Sequence, residues 1–185
     1  MDAIFDSAIF PWVLGILALL LAWLLYRFQR NRGSRLEQVL NDIAFDRVHN
    51  LVIPNGDDGE ILIDQLLLTS EGLLILEVKD VEGAVFGSDK MEDWTVISEE
   101  RRYTFPNPQH GLYDRIAAVR QIVKQVPVAG RILFLDCAEF TKGKPGLVAS
   151  LDELLDEFGE RNKKAATVNI DAFTPHWELI KNRGS

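Results

Sequence analysis

Apolar positions in this chain fall into distinct patterns along its length. From Ala8 to Tyr26 they are nearly continuous, with no charged residue between Ser7 and Tyr26. From Ile61 to Val78 they form two dense runs separated by a polar break at Ser70-Glu71-Gly72. Over Leu36–Ile43 and Leu112–Val123 they recur at helical spacing. The first run is long enough, at about 1.5 Å per residue, to span roughly 28 Å, the thickness of a bilayer core. Trp12 lies near one end of it and Trp23 and Tyr26 near the other, as interfacial aromatic residues do. Asp2 and Asp6 precede it, and Arg27, Arg30, Arg32 and Arg35 follow; the basic flank marks the cytoplasmic side. A cleaved signal peptide would carry a basic leader and a small-residue cleavage site, and neither is present. The expectation is a transmembrane anchor in residues 1–30, crossing with residues 8–26, its N-terminus outside. Residues 31–185 then form a cytoplasmic domain held at the inner face of the cell membrane.

The remaining elements follow in order. Ser34 with Glu37 three residues later has the form of a capping box, opening a helix on Leu36, Val39, Leu40 and Ile43. His49–Ile53 reads as a strand. The two dense runs read as a hairpin. If Thr69 pairs with Gly72, then Leu68 faces Leu73, Leu66 faces Ile75, and Asp64 faces Glu77. Lys79 shares that side, because alternate strand residues point the same way. Gly83–Phe86, Trp94–Ser98 and Arg101–Phe105 are short strands. Asn107 turns the chain into a helix from about His110 to Val126, which Pro127 ends. Arg131–Leu135 is a buried strand, Leu151–Phe158 an acidic helix, and Thr167–Ile170 a last strand. This order predicts an α/β fold in which helices flank a mixed central sheet.

Composition narrows the chemistry. A hydrophobic content of 47% supports a core, and the single cysteine, Cys137, excludes an internal disulfide and a cysteine-rich zinc site; its apolar neighbours suit a packed thiol. The net charge is −8. Such a balance argues against a broad phosphate-tracking surface. It is compatible with an acidic site that a metal ion neutralises.

Carboxylates inside apolar strands are costly unless compensated. Asp64 and Glu77 on adjacent strands are suited to a hard divalent cation, Mg²⁺ or Mn²⁺, with the Val78 backbone carbonyl as a further oxygen ligand. Lys79 is then placed to orient or deprotonate a water, or to stabilise charge on a phosphate. The sum is phosphodiester hydrolysis. The plainer readings are an Asp64 satisfied by a loop amide or an arginine, a Glu77–Lys79 surface pair, and a Glu37 that only caps its helix. The loop acids Asp57, Asp58 and Glu60 read as solvated.

Asp64 followed by Glu77-Val78-Lys79 resembles the pattern of the PD-(D/E)xK nuclease superfamily. The order of further motifs is similar to its nuclease-related (NERD) subfamily: Glu37 on a helix, Ile63-Asp64, Gly72 to Lys79, Gly83, Trp94 and Asn107-Pro108. The likeness runs over roughly residues 34–125. It implies a restriction-endonuclease-like core and a Mg²⁺-dependent nuclease acting on DNA or RNA. It also implies that Glu37 lies near the metal and that Asn107 and Gln109 are accessory. Asp80 stands where the subfamily has asparagine, and Leu36 where it has glycine. A rival reading keeps the fold without the reaction: a membrane-anchored binding or assembly module whose ligand is a protein partner.

Overall fold

The structure, a computed structural model, describes residues 10–56, 59–135, 138–159 and 164–184. Its elements are α1 (Phe10–Ile43), β1 (Asp46–Asn55), β2 (Gly59–Thr69), β3 (Gly72–Lys79), β4 (Gly83–Phe86), β5 (Asp93–Ile97) and β6 (Arg102–Pro106). They continue with α2 (Pro108–Ile122), β7 (Val128–Phe134), β8 (Ala138–Phe140), β9 (Val148–Ala149), α3 (Leu151–Phe158) and α4 (Lys164–Arg183). The chain divides into two units, Met1–Gln38 and Val39–Ser185.

In the first unit the expected joint at Asn31–Ser34 does not form. Helix α1 runs through it without a break, so Ser34 opens no new helix. A glycine inside a helix costs about 1 kcal/mol. Ending one helix and starting another would leave unsatisfied amides and carbonyls at two further termini. Every large apolar side chain described between Ile16 and Tyr26 is at least half exposed. Among the described residues no helix is long and apolar enough to cross a membrane. Residues 8 and 9, where the expected span begins, lie outside the described residues.

The second unit holds two sheets where one was expected. The larger has the order β1-β2-β3-β7-β9, antiparallel from β1 to β3 and parallel from β3 to β9. The smaller has the order β6-β5-β4-β8. They meet through aromatic rings. Trp94 of β5 lies 6.2 Å from each of Phe105, Phe134 and Phe140. Strands of three to five residues bury little by themselves, so the smaller sheet depends on this contact.

The β2–β3 hairpin has the register read from the sequence as far as Gln65–Leu76: Thr69 opposes Gly72, Leu68 opposes Leu73, and Leu66 opposes Ile75, but the expected Asp64–Glu77 pair does not form. Gly72 has a φ of +124°, and a Cβ there would stand 2.3 Å from the Pro127 carbonyl oxygen. That oxygen accepts the Leu73 amide, which starts the β3–β7 pairing. Leu66, Leu68, Leu73 and Ile75 join Leu112, Ile116 and Val119 of α2 in the main core. On the opposite face, Arg131 pairs with Glu157 of α3, and Leu74, Leu76 and Leu133 are buried. The larger sheet is thus covered on both faces.

Helix ends follow local chemistry. Asn107 caps α2, accepting the Gln109 amide at 3.0 Å. The helix stops at Ile122, before the expected Val126, with Val123 as its extended C-cap. Ser150 and Glu153 form a reciprocal capping box on α3. Thr167–Ile170 is not a strand but part of α4. Ile170, Phe173, Trp177 and Ile180 recur at helical spacing and pack on the core, which overrides the local β preference of a threonine–valine pair. Cys137, Asp57 and Asp58 lie outside the described residues.

A carboxylate adds a polar anchor to the docking of α4. Trp177, 1% exposed, donates its indole N–H to Asp46 Oδ2 at 2.7 Å, and Lys181 Nζ lies 3.3 Å from the same oxygen. Burial raises the Asp46 pKa, but the hydrogen bonds from Trp177, the Arg47 amide and Lys181 outweigh it and hold the group below its ordinary 3.8. A carboxylate with a lowered folded-state pKa stabilises the fold above its unfolded pKa and loses that contribution as pH falls through the folded value. Stability from this contact is therefore expected to be constant at neutral pH and to fade below about pH 4. Asp46→Ala strands a buried indole N–H and is expected to cost about 1–3 kcal/mol, read as a lower denaturant midpoint. An unchanged midpoint would show that α4 docks without it.

Candidate active site

The larger sheet opens at one place. The β2–β3 ladder ends at Gln65–Leu76. Beyond it β2 stays with β1 as far as Gly59, while β3 stays with β7 as far as Lys79. The two strands part at Asp64 and Glu77. Glu77 keeps the alternation of Leu73 and Ile75 and lies on the α2 side. On β2 the pairing with β1 skips Asn50 and Asp64, Asn50 has a φ of +53°, and Ile63 shares the core of Leu66, so the alternation breaks at Asp64.

Glu77 is 7% exposed, and two cations compensate it. Lys79 Nζ is 2.6 Å from Oε1, and Arg115 Nη1 of α2 is 3.5 Å from Oε2. Asp64 is exposed. The Lys79 carbonyl accepts the Leu135 amide on the β7 side. In a parallel pair, alternate residues direct their backbone groups to the two neighbouring strands. Val78 therefore directs its carbonyl to the β2 side, where the ladder has ended.

Arg115 is the residue that sequence reasoning missed. Its Nε donates to the Leu62 carbonyl at 2.8 Å, so its guanidinium bridges β2 and β3 where they separate. The available signal was a cation placed beside the stripe of Leu112, Ile116 and Val119.

Glu37 is exposed on α1, in the first unit. Asn107 is buried and ties the start of α2 to the loop before β5, donating from Nδ2 to the Met91 carbonyl at 2.8 Å. Gln109, also buried, accepts the Leu147 amide at 3.2 Å. Both side chains have structural partners and brace α2 against the loops around it.

The expected donors are two carboxylates and one backbone carbonyl. Among the described residues no group of three or more His, Cys, Asp or Glu could hold a metal ion. The set suits a cation that takes one or two carboxylates and keeps several waters, as Mg²⁺ does. It does not suit zinc, which needs nitrogen or sulfur ligands.

Fold and site together describe a mixed α/β protein whose sheet opens around an Asp–Glu–Lys set. The chain belongs to the nuclease-related domain (NERD) family, whose profile matches residues 27–135. It is 26% identical over 92 residues to an uncharacterized protein of Bacillus anthracis, covering 50% of this chain and 43% of that one. The chain thus spans less than half the length of that relative. No solved structure matches.

Proposed function

We propose that the chain is a metal-dependent nuclease that hydrolyses phosphodiester bonds of DNA or RNA, built on a restriction-endonuclease-like core. The observation that carries this reading is the opening of the sheet beside Glu77, Val78 and Lys79. A buried carboxylate, a carbonyl on the side where the β2–β3 ladder has ended and an ammonium group lie there, and the exposed Asp64 stands on β2 just past the last ladder pair. Asp64, Glu77 and the Val78 carbonyl would hold Mg²⁺ or Mn²⁺. The bound ion would polarise a phosphoryl oxygen and lower the pKa of a coordinated water. Lys79, 2.6 Å from Glu77, is placed to hydrogen-bond the attacking water and a phosphate oxygen. Glu77 fixes the lysine's position through that ion pair.

The apolar, exposed stretch of α1 from Ile16 to Tyr26 and the arginines after it support tethering to the inner face of a membrane. Purified in detergent, the full chain should cleave DNA or RNA with Mg²⁺ or Mn²⁺ and stop when a chelator is added. The activity should be recovered from the membrane fraction of expressing cells. If calorimetry detects no divalent-ion binding, the nuclease reading is lost. The second reading is a tethered assembly module that keeps the fold without the reaction. It is favoured by the neutralisation of Glu77 by Lys79 and Arg115 and by a net charge of −8.

A further inference from the structure

Arg115 has two anchors of unequal strength. Its Nε–Leu62 carbonyl bond is short, at 2.8 Å, while its Nη1–Glu77 contact is long, at 3.5 Å. The short bond satisfies a β2 carbonyl next to the point where the β2–β3 ladder ends. The long contact is the weaker of the two cation contacts on Glu77, since Lys79 is at 2.6 Å. The Arg115 side chain is 23% exposed, so solvent reaches it. A guanidinium offers five N–H donors in a planar fork that matches the oxygens of a phosphate.

Charge bookkeeping points the same way. In the proposed site, Asp64 and Glu77 against Lys79 and Arg115 balance to neutral without a metal. A divalent ion on the carboxylates would leave it with a surplus of two positive charges beside an anion-binding fork. That surplus is local, in a chain with a net charge of −8.

We propose that Arg115 is a phosphate-binding residue held in reserve on Glu77. It stays tethered by Nε to β2. Its outer nitrogens pass from Glu77 to a substrate phosphate once a cation occupies the carboxylates. Arg115 and the divalent ion therefore compete for Glu77, while Arg115 and the phosphate cooperate. This rests on the nuclease reading of the same site.

Two titrations on the full chain in detergent test it: Mn²⁺ alone by calorimetry, and a short single-stranded oligonucleotide in Ca²⁺ by fluorescence anisotropy. Arg115→Gln is expected to bind Mn²⁺ about two- to five-fold more tightly, since a partly exposed ion pair has been removed. It should bind the oligonucleotide at least about ten-fold more weakly, since charge-assisted phosphate hydrogen bonds are lost. A purely supporting arginine would weaken both, or neither. Gly111→Ala guards against misfolding. A Cβ at Gly111 would stand 3.0 Å from Arg115 Nη1, so this variant crowds the fork and keeps its charge. It should shift both affinities in the same directions by less, with no loss of thermal stability. If Arg115→Gln leaves Mn²⁺ affinity unchanged or lower, the competition is refuted and the nuclease reading stands. If tighter Mn²⁺ binding comes with unchanged oligonucleotide affinity, the phosphate role is refuted. If wild type and variant both fail to bind Mn²⁺, the nuclease reading and this proposal fall together.

Discussion

Lys79→Ala is expected to lower the rate of metal-dependent cleavage at least about 100-fold, the usual scale for losing one positioned proton-transfer or charge-stabilising group. Lys79 is the single ammonium group within ion-pair reach of Glu77 among the described contacts, at 2.6 Å. Its β3 backbone is pinned by the parallel ladder to Phe134. The side chain is about one-third exposed, so its loss should leave the fold intact. Arg115 still faces Glu77. The thermal midpoint should stay close to that of wild type while the rate collapses. Lys79→Arg should keep the charge and most of the stability without restoring the rate, because a wide guanidinium cannot take the place of a compact ammonium. Cleavage by Lys79→Ala near the wild-type rate would reduce Lys79 to a counter-ion of Glu77.

Trp94→Ala is expected to cost about 3–5 kcal/mol, a large share of the stability of any domain of this size. Trp94 is fully buried and is the ring on which β6, β7 and β8 converge through Phe105, Phe134 and Phe140. Its indole N–H donates to the Ser88 carbonyl at 3.2 Å. The smaller sheet would lose its main attachment, so the loss should appear as a lower denaturant midpoint. Phe134 pairs in register with Lys79, so residual cleavage should fall as well. A loss below about 1 kcal/mol would mean that the two sheets hold together by other contacts.

Elements whose order rests on local rules were legible in the sequence. The hairpin register follows from a two-residue turn and a glycine forced to positive φ at Gly72. Helix α3 has the bounds read from the sequence, Leu151–Phe158, and starts on the Ser150–Glu153 box. What was not legible depends on distant partners. The run Thr167–Ile170 reads as a strand until Trp177 and Ile180 supply a helical stripe and Asp46 supplies an acceptor from the start of β1. Strands β8 and β9 are three and two residues long, too short to show a period. They exist because β4 and β7 offer parallel edges. The division into two sheets could not be read from strands that look alike one by one. At the site, Glu77 and Lys79 are two residues apart on one strand, and their ion pair follows from that spacing. Arg115 arrives on a helix packed from elsewhere, and only the three-dimensional fold brings it to Glu77.

The strand that carries Glu77 and Lys79 has a further consequence for how the chain is made. Its first neighbour, β2, is available as soon as the hairpin turns. Its second, β7, emerges only after β4, β5, β6 and α2 have been synthesised. Until then β3 exposes a free edge rich in leucine, the kind that recruits strands from other molecules. Glu77 and Lys79 stand at the open end of that edge, where charged residues discourage such pairing. The residues proposed for chemistry in the finished protein would then also guard the nascent chain. Replacing both with apolar residues should lower soluble yield during expression, separately from any effect on cleavage.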